Sequence, residues 1–434
     1  MLKARRGARL WAAALVGALS LSTLAACGDD GSDAKGAGDT LRLWHYEAPE
    51  SAMGKAWNEA IAEFKKQHPG VKVEFEAKGF EQIQKTAPQV LNSDKAPDLL
   101  EYNKGNATTG QLSKQGLLTD MTEEVKKRGW DKAIPPSVAI TSQYDQKGVM
   151  GSGAWYGVPN YAEYTMVYYN KDLFAEHGVQ VPTTVAELEQ ALATFKSAGL
   201  TPFANGGAEY IAQQYVYQLA LSQADRSWVD SFQMKGKTDF SDAAWTYAAQ
   251  TFADWVAKGY IAKNSSGVKA EDAGVSFMQG KHPMFFSGSW WFGRFGTEIK
   301  KFDWDTFLWP ESKLSLGSGG NLWVVPEGAE NKELAYDFID ITMQKQIQNT
   351  LGNAGGVPVA ADAASITDER AKKLIQQYDT LAGNDGLAFY PDWPANGFYD
   401  TLASEVQKLI TQSAEPADVL KSLQDEYDEN VLNE

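Results

Sequence analysis

One cysteine in 434 residues, Cys27, closes a leader whose layout sets the terms for everything downstream. Residues 1–26 hold Lys3, Arg5, Arg6 and Arg9 and no acid, and an apolar stretch runs from Leu10 to Leu24 before Ala25-Ala26-Cys27. A basic head, a short apolar body and small residues at its end are the parts of an export signal. The apolar body is short and rich in Ala, Gly and Ser, whereas a membrane span needs about 20 predominantly apolar residues. The remainder is therefore expected to fold outside the cytoplasm. A lone cysteine offers no internal disulfide, so packing has to hold the body together.

Leu24-Ala25-Ala26-Cys27 resembles the bacterial lipobox, in which the thiol is diacylated and the cysteine becomes the first residue of the mature chain. Acylation provides the more than one buried chain that a stable anchor requires. The resemblance implies lipidation at Cys27 and a place on the extracytoplasmic face of the cell membrane. Gly28 to Asp39 contains no apolar residue larger than Ala, so it adds nothing to a core, and residues 27–39 read as a flexible tether. Loss of residues 1–26 moves the formal charge from −16 to −20. So acidic a body repels phosphate backbones, which argues against nucleic acid as a partner. The 408 residues that remain are too many for one core and suggest about two domains. A 43% hydrophobic composition with 14 Trp, 18 Tyr and 19 Phe can fill them.

The pattern after the tether is β-α-β. Thr40-Leu41-Arg42-Leu43-Trp44 alternates like a strand, and Trp57, Ile61 and Phe64 follow Ser51 at helical spacing. His68-Pro69-Gly70 breaks that helix before a second strand at 71–75. Such an opening predicts a parallel sheet with helices on its faces. A further helix is predicted over 80–93, and a third strand at 98–102. Thr165 to Tyr169 centres another strand region, and Thr184 with Glu187 matches the capping-box spacing. Pro283 to Phe286 reads as a buried strand delivering Ser287-Gly288-Ser289-Trp290-Trp291. A helix over 332–348, capped by Asn331, follows the run Gly317 to Pro326.

Motifs of several catalytic classes are missing. The chain has no G-x-S-x-G elbow, no P-loop and no G-x-G-x-x-G turn after a strand. Its four histidines are scattered, and with Cys27 assigned to lipid no Cys/His metal cluster can be assembled. No cofactor, metal or catalytic residue is expected. Among 56 acidic residues a glycosidase-type carboxylate pair can always be drawn, so an exported glycoside hydrolase stays open as an alternative.

Three stretches are similar to the extracellular solute-binding proteins of ABC sugar importers, the carbohydrate-binding type akin to maltose-binding protein. They are Ala96-Pro97-Asp98-Leu99-Leu100 with Gly116-Leu117-Leu118; Tyr156-Gly157-Val158-Pro159 with Val167 to Phe174; and Gly319-Gly320 with Glu330 to Phe338. The resemblance implies an α/β, two-lobe periplasmic-binding-protein-like fold of the class II type, with hinge crossovers and an interlobe ligand cleft. Residues 40–158 plus 311–350 would form the N-terminal lobe, and 159–310 plus 351–434 the C-terminal lobe. It implies a monomer that takes a carbohydrate and hands it to permease subunits in the membrane. A binding protein for a non-sugar solute, such as a peptide or polyamine, is a further alternative; a cleft with more acids than aromatics would favour it.

A sugar offers flat C–H faces to aromatic rings and hydroxyls to carboxylates and amides, so contacts are expected at loop tips after strands. Trp290 and Trp291 follow a predicted strand, at a position that resembles a stacking tryptophan of the family. Asp392 and Trp393 sit in a turn-rich loop. Glu163 falls where the family places an acidic contact. Glu101, Tyr102, Asn103 and Asn106 crowd the end of the third strand, and His45 and Glu47 follow the first. Gly319, Gly320 and Asn321 are expected to bring backbone near the ligand, and Glu209 loosely resembles a contact loop of the second lobe.

Overall fold

The computed structural model describes residues 40–431. The leader 1–26, Cys27 and the tether lie outside the described residues.

Strand β1 (Thr40–His45) buries Leu41, Leu43 and His45 on one face. Helix α1 (Ala52–Gln67) starts where the Ser51 hydroxyl accepts the Gly54 N–H at 2.9 Å, and it lays Met53, Trp57, Ile61 and Phe64 on the sheet. β2 (Lys72–Ala77) and β3 (Leu99–Tyr102) flank β1 in parallel, with α2 (Phe80–Leu91) between them in sequence. A short ribbon, β4 (Gln143–Tyr144) with β5 (Ala154–Trp155), precedes β6 (Val158–Pro159). The ten residues of β7 (Tyr161–Asn170) are all buried, and β7 is the spine of a second sheet.

That sheet adds β8 (Phe203–Ala204), β9 (Met284–Gly288) and β10 (Trp304–Phe307) in the order β10-β7-β9-β8. β11 (Gly317–Gly319) and β13 (Val357–Pro358) pair with the first half of β7. β12 (Leu322–Val324) returns to the first sheet, whose order is β2-β1-β3-β12-β6. The chain therefore passes between sheets at Asn160, at Gly320-Asn321, and between the helix Lys345–Asn353, which packs on α1, and β13. Residues 317–319 pair with β7, and the chain rejoins the first sheet at β12.

The first crossing is tied down by polar contacts. Asn160 Nδ2 donates to Thr342 Oγ1 at 2.9 Å, and its carbonyl accepts from Gln348 Nε2 at 2.7 Å. The second lobe absorbs most of the aromatic residues. Tyr168 lies among Phe277, Phe285, Phe292, Phe295 and Trp304, with ring centroids 4.8–6.5 Å apart, and offset or edge-on rings add to area burial.

The Thr184 capping box is present: Thr184 Oγ1 accepts the Glu187 N–H at 3.1 Å and Glu187 reaches back to the Thr184 N–H at 3.3 Å. The expected helix over 332–348 is instead two, Lys332–Met343 and Lys345–Asn353, split at Gln344, where ψ is 140°. Asn331 does not cap through its side chain. Its amide donates to the Thr40 carbonyl at 2.9 Å, and its N–H goes to Asp98 at 3.0 Å, so tertiary contacts took the group that local spacing assigned to the cap.

Candidate functional site

Loop tips at the carboxyl ends of β1 and β3 face those of the second lobe across a cavity of about 510 Å³, the place where open α/β sheets take ligands. From the first lobe, Tyr46 and Glu47 follow β1, Phe80 and Glu81 open α2, and Asn103 and Lys104 follow β3. Tyr161 and Glu163 reach the cavity from one face of β7, two residues apart as a strand dictates, and Asn321 stands in the crossover before β12. The second lobe adds Glu209, Tyr210 and Gln214 at the start of the helix Tyr210–Leu221, Trp290 and Trp291 just after β9, and Tyr390, Asp392, Trp393 and Tyr399. Lys269, Glu271 and Arg294 complete that side.

Rings form an arc from lobe to lobe. Centroid spacings are 5.2 Å for Tyr46–Phe80, 6.3 Å for Phe80–Tyr210, 5.8 Å for Tyr210–Trp290, 6.4 Å for Trp290–Tyr390 and 5.3 Å for Tyr390–Trp393. Trp290 Nε1 donates to the Tyr210 hydroxyl at 3.3 Å, which fixes both rings. Gln214 is 5% exposed and its Oε1 has no hydrogen-bond partner among the described residues. A buried acceptor of that kind invites a donor.

Polar groups stiffen the floor. Lys104 Nζ pairs with the Glu163 carboxylate and donates to Asn321 Oδ1 at 3.1 Å, while Asn321 Nδ2 donates to the Tyr161 hydroxyl at 2.9 Å. Ser51 Oγ donates to Glu47 at 3.1 Å. Burial pushes the Glu47 carboxyl up to about 7, with the Ser51 bond opposing it and the charge of Glu163 adding to it. Burial likewise takes Asp392 up to about 6. Glu81 is held above the usual carboxylate range by burial, against the hydrogen bond from the Tyr399 hydroxyl. Glu209 accepts the Ala270 N–H at 2.8 Å at the start of the helix Ala270–Met278, where a negative charge is favoured.

Of the residues singled out from sequence, the cavity wall holds Glu47, Asn103, Glu163, Glu209, Trp290, Trp291, Asn321, Asp392 and Trp393. The other six lie off it. His45 is buried against the Phe75 ring, centroids 3.8 Å apart, and its Nδ1 accepts the Glu47 N–H at 3.2 Å; burial lowers its pKa to about 4. Glu101 lies in β3 beneath Glu47, its carboxyl raised by burial and then by the charge of Glu47. Tyr102 is interior to the first sheet, paired with Leu322 of β12. Asn106 ties its turn to a distant segment, accepting the Met150 N–H at 2.8 Å. Gly319 and Gly320 admit protein instead of ligand: a Cβ would stand 2.7 Å from Thr141 Oγ1 in the first case and 2.5 Å from the Tyr161 ring in the second.

Sequence reasoning missed Lys104, Tyr46, Tyr161 and Tyr390, although each lies within two positions of a residue it chose. The strand period from Glu163 to Tyr161 was the usable signal. Phe80, Glu81 and Tyr399 had none, since the fold alone brings them to the rim. No cluster of His, Cys, Asp and Glu suited to a metal ion occurs among the described residues. No helix among them is long and apolar enough to cross a membrane.

Two α/β lobes, three crossovers and a ring-lined cleft between strand ends define a two-lobed, cleft-type solute receptor. Residues 47–342 match the family model described as bacterial extracellular solute-binding protein, and the chain belongs to that family. It is 22% identical over 432 residues to the diacetylchitobiose binding protein DasA of Streptomyces coelicolor, covering 95% of this chain and 96% of that one. With the multiple sugar-binding protein of Streptococcus mutans it shares 23% identity over 379 residues, 85% of this chain and 86% of the relative. A solved chitin oligosaccharide binding protein superposes with a TM-score of 0.77 at 22% identity, over 90% of this chain and 99% of that one.

Proposed function

We propose that this chain captures a mono- or small oligosaccharide in the cleft and delivers it to an ABC-type permease, as a monomeric lipoprotein anchored through Cys27 on the extracytoplasmic face of the cell membrane. In this reading the lobes close on the ligand about the three crossovers, a motion familiar in binding proteins of this shape. The N-terminal lobe is 40–158 with 320–353, and the C-terminal lobe the rest of the body. One observation carries the ligand class: nine aromatic side chains stand on the wall against six carboxylates. Ring faces suit the C–H faces of a sugar, and the carboxylates and amides between them suit its hydroxyls. A peptide or polyamine site would reverse that ratio. The relatives are named for diacetylchitobiose and for multiple sugars, which agrees with the reading.

The test is a titration of the purified protein with mono-, di- and oligosaccharides, followed by calorimetry and by melting temperature, which rises with RT ln(1 + [L]/Kd) for a ligand of the folded state. A saturable one-to-one response, lost in Trp290→Ala and in Trp393→Ala, is expected. Silence across the panel would sink the sugar assignment. Turnover of a chromogenic glycoside, lost in Glu163→Gln, would replace it with a hydrolase.

A further inference from the structure

Lys104 is an unusual wall residue. Its side chain is 2% exposed, and lysine is almost never so buried unless it is paired. Around its Nζ stand the Glu163 carboxylate, Asn321 Oδ1 at 3.1 Å, the Tyr390 ring centroid at 5.3 Å and the Trp393 centroid at 5.4 Å. Both rings lie within the reach of about 6 Å at which a cation is drawn to an aromatic face. A carboxylate, an amide oxygen and two ring faces about one point make a seat for an ammonium group. Its walls come from β7, from the β11–β12 crossover and from the 390–393 loop, so the seat exists without any contribution from the segment that carries Lys104. Of the neighbouring acids, burial holds Glu47 up to about 7, which weakens it as a counter-ion near neutral pH.

We infer that Lys104 determines the specificity of the cleft: by filling an ammonium seat with its own side chain, it commits the cavity to an uncharged solute and shuts out one that brings an ammonium group. A second cation entering the seat would meet the first one, with Glu163 already engaged. This rests on the reading that the cleft is the solute site, and it narrows that reading to neutral sugars over their amino counterparts.

Lys104→Ala empties the seat and leaves its walls standing. The probe is propylammonium chloride, compared with sodium chloride at equal ionic strength, on purified protein by melting temperature and calorimetry. Lys104→Ala should show a saturable rise and a one-site isotherm, at least tenfold weaker or absent in the wild type and abolished in Lys104→Ala/Glu163→Gln. Because the single substitution strands Glu163 near the Glu47 carboxyl, Lys104→Ala/Glu47→Gln, which removes that neighbouring acid, is run beside it, with the same response expected. If neither responds to propylammonium, the inference is overturned. A second arm compares a bound neutral sugar with its 2-amino analogue on the wild type: a preference of tenfold or more for the neutral form supports the inference, and equal affinity overturns it. Propylammonium binding with no response to any sugar would leave the seat standing and remove the sugar reading. Sugar binding with no propylammonium response would do the opposite.

Discussion

Replacing Gly105 with alanine strikes the point where the first lobe meets Trp393. Gly105 has φ 109° and ψ 166°, a region open essentially to glycine that costs an L-residue about 1–3 kcal/mol. A Cβ there would stand 2.6 Å from Trp393 Cγ and 2.8 Å from Trp393 Cβ. The ring has to move, and overpacking of that kind costs a further ~1–3 kcal/mol. Together the two effects destabilise by roughly 2–6 kcal/mol. At ~2.1 cal/mol/K per residue, the 392 described residues give an unfolding entropy of about 0.8 kcal/mol/K, so the melting temperature should fall by about 2–7 °C. Ligand affinity should fall with it, because Trp393 is on the cavity wall and the Ala107 N–H that bonds its carbonyl at 3.0 Å lies two residues on. The decisive assay is a double-mutant cycle with Trp393→Ala. Trp393→Ala removes the 2.6 Å contact at Cγ but keeps the 2.8 Å contact at Cβ and the backbone strain, so the double variant should lose about 1 kcal/mol less than the sum of the singles. Single effects that add within about 0.5 kcal/mol would refute the claim that the Gly105–Trp393 contact is what forbids a side chain there.

Three further outcomes are expected. Glu47 holds its proton up to about pH 7 in the folded protein, against an ordinary value of 4.5; the native state binds more protons than the unfolded one in between, so this group's contribution falls as pH rises through that window. Glu47→Gln should therefore gain in melting temperature relative to wild type between pH 5 and pH 8, and a constant difference would contradict the burial argument. Asp98, fully buried, accepts the Arg42 N–H at 2.8 Å and the Asn331 N–H at 3.0 Å. Asp98→Ala strands two donors at about 1–3 kcal/mol each, and denaturant unfolding should show a loss of a few kcal/mol. Cys27→Ser should abolish incorporation of labelled palmitate and release the protein from the membrane fraction.

The opening β-α-β pattern could be read because its signals are local. Alternation in Thr40–His45, the Ser51 cap and the 57/61/64 spacing each depend on neighbours within a turn or two. The ends of strands were legible for the same reason: Glu47 and Asn103 follow β1 and β3, and Trp290 and Trp291 follow β9, and all four stand on the cavity wall. Sequence leaves a choice open where chemistry at short range has two uses. Gly319 and Gly320 fit a ligand approach and a tight protein contact equally well in sequence, and only the positions of Thr141 and Tyr161 decide between them. His45 and Asn106 carry polar groups that the fold spends on its own loops.

What the chain determined by itself is the export-signal layout of its leader, an α/β opening and a body of about two domains, because periodicity, caps and leader composition act over short stretches; the two-lobe arrangement followed from its resemblance to solute-binding proteins. Tertiary structure decided which polar groups face the cavity. Lys104 and Glu163, separated by 59 residues, and Glu81 and Tyr399, separated by 318, meet only when the two sheets share three crossovers. No local pattern encodes a contact made by folding two distant segments against each other, and the burial that moves the Glu47 and Asp392 carboxyls exists only once those segments have met.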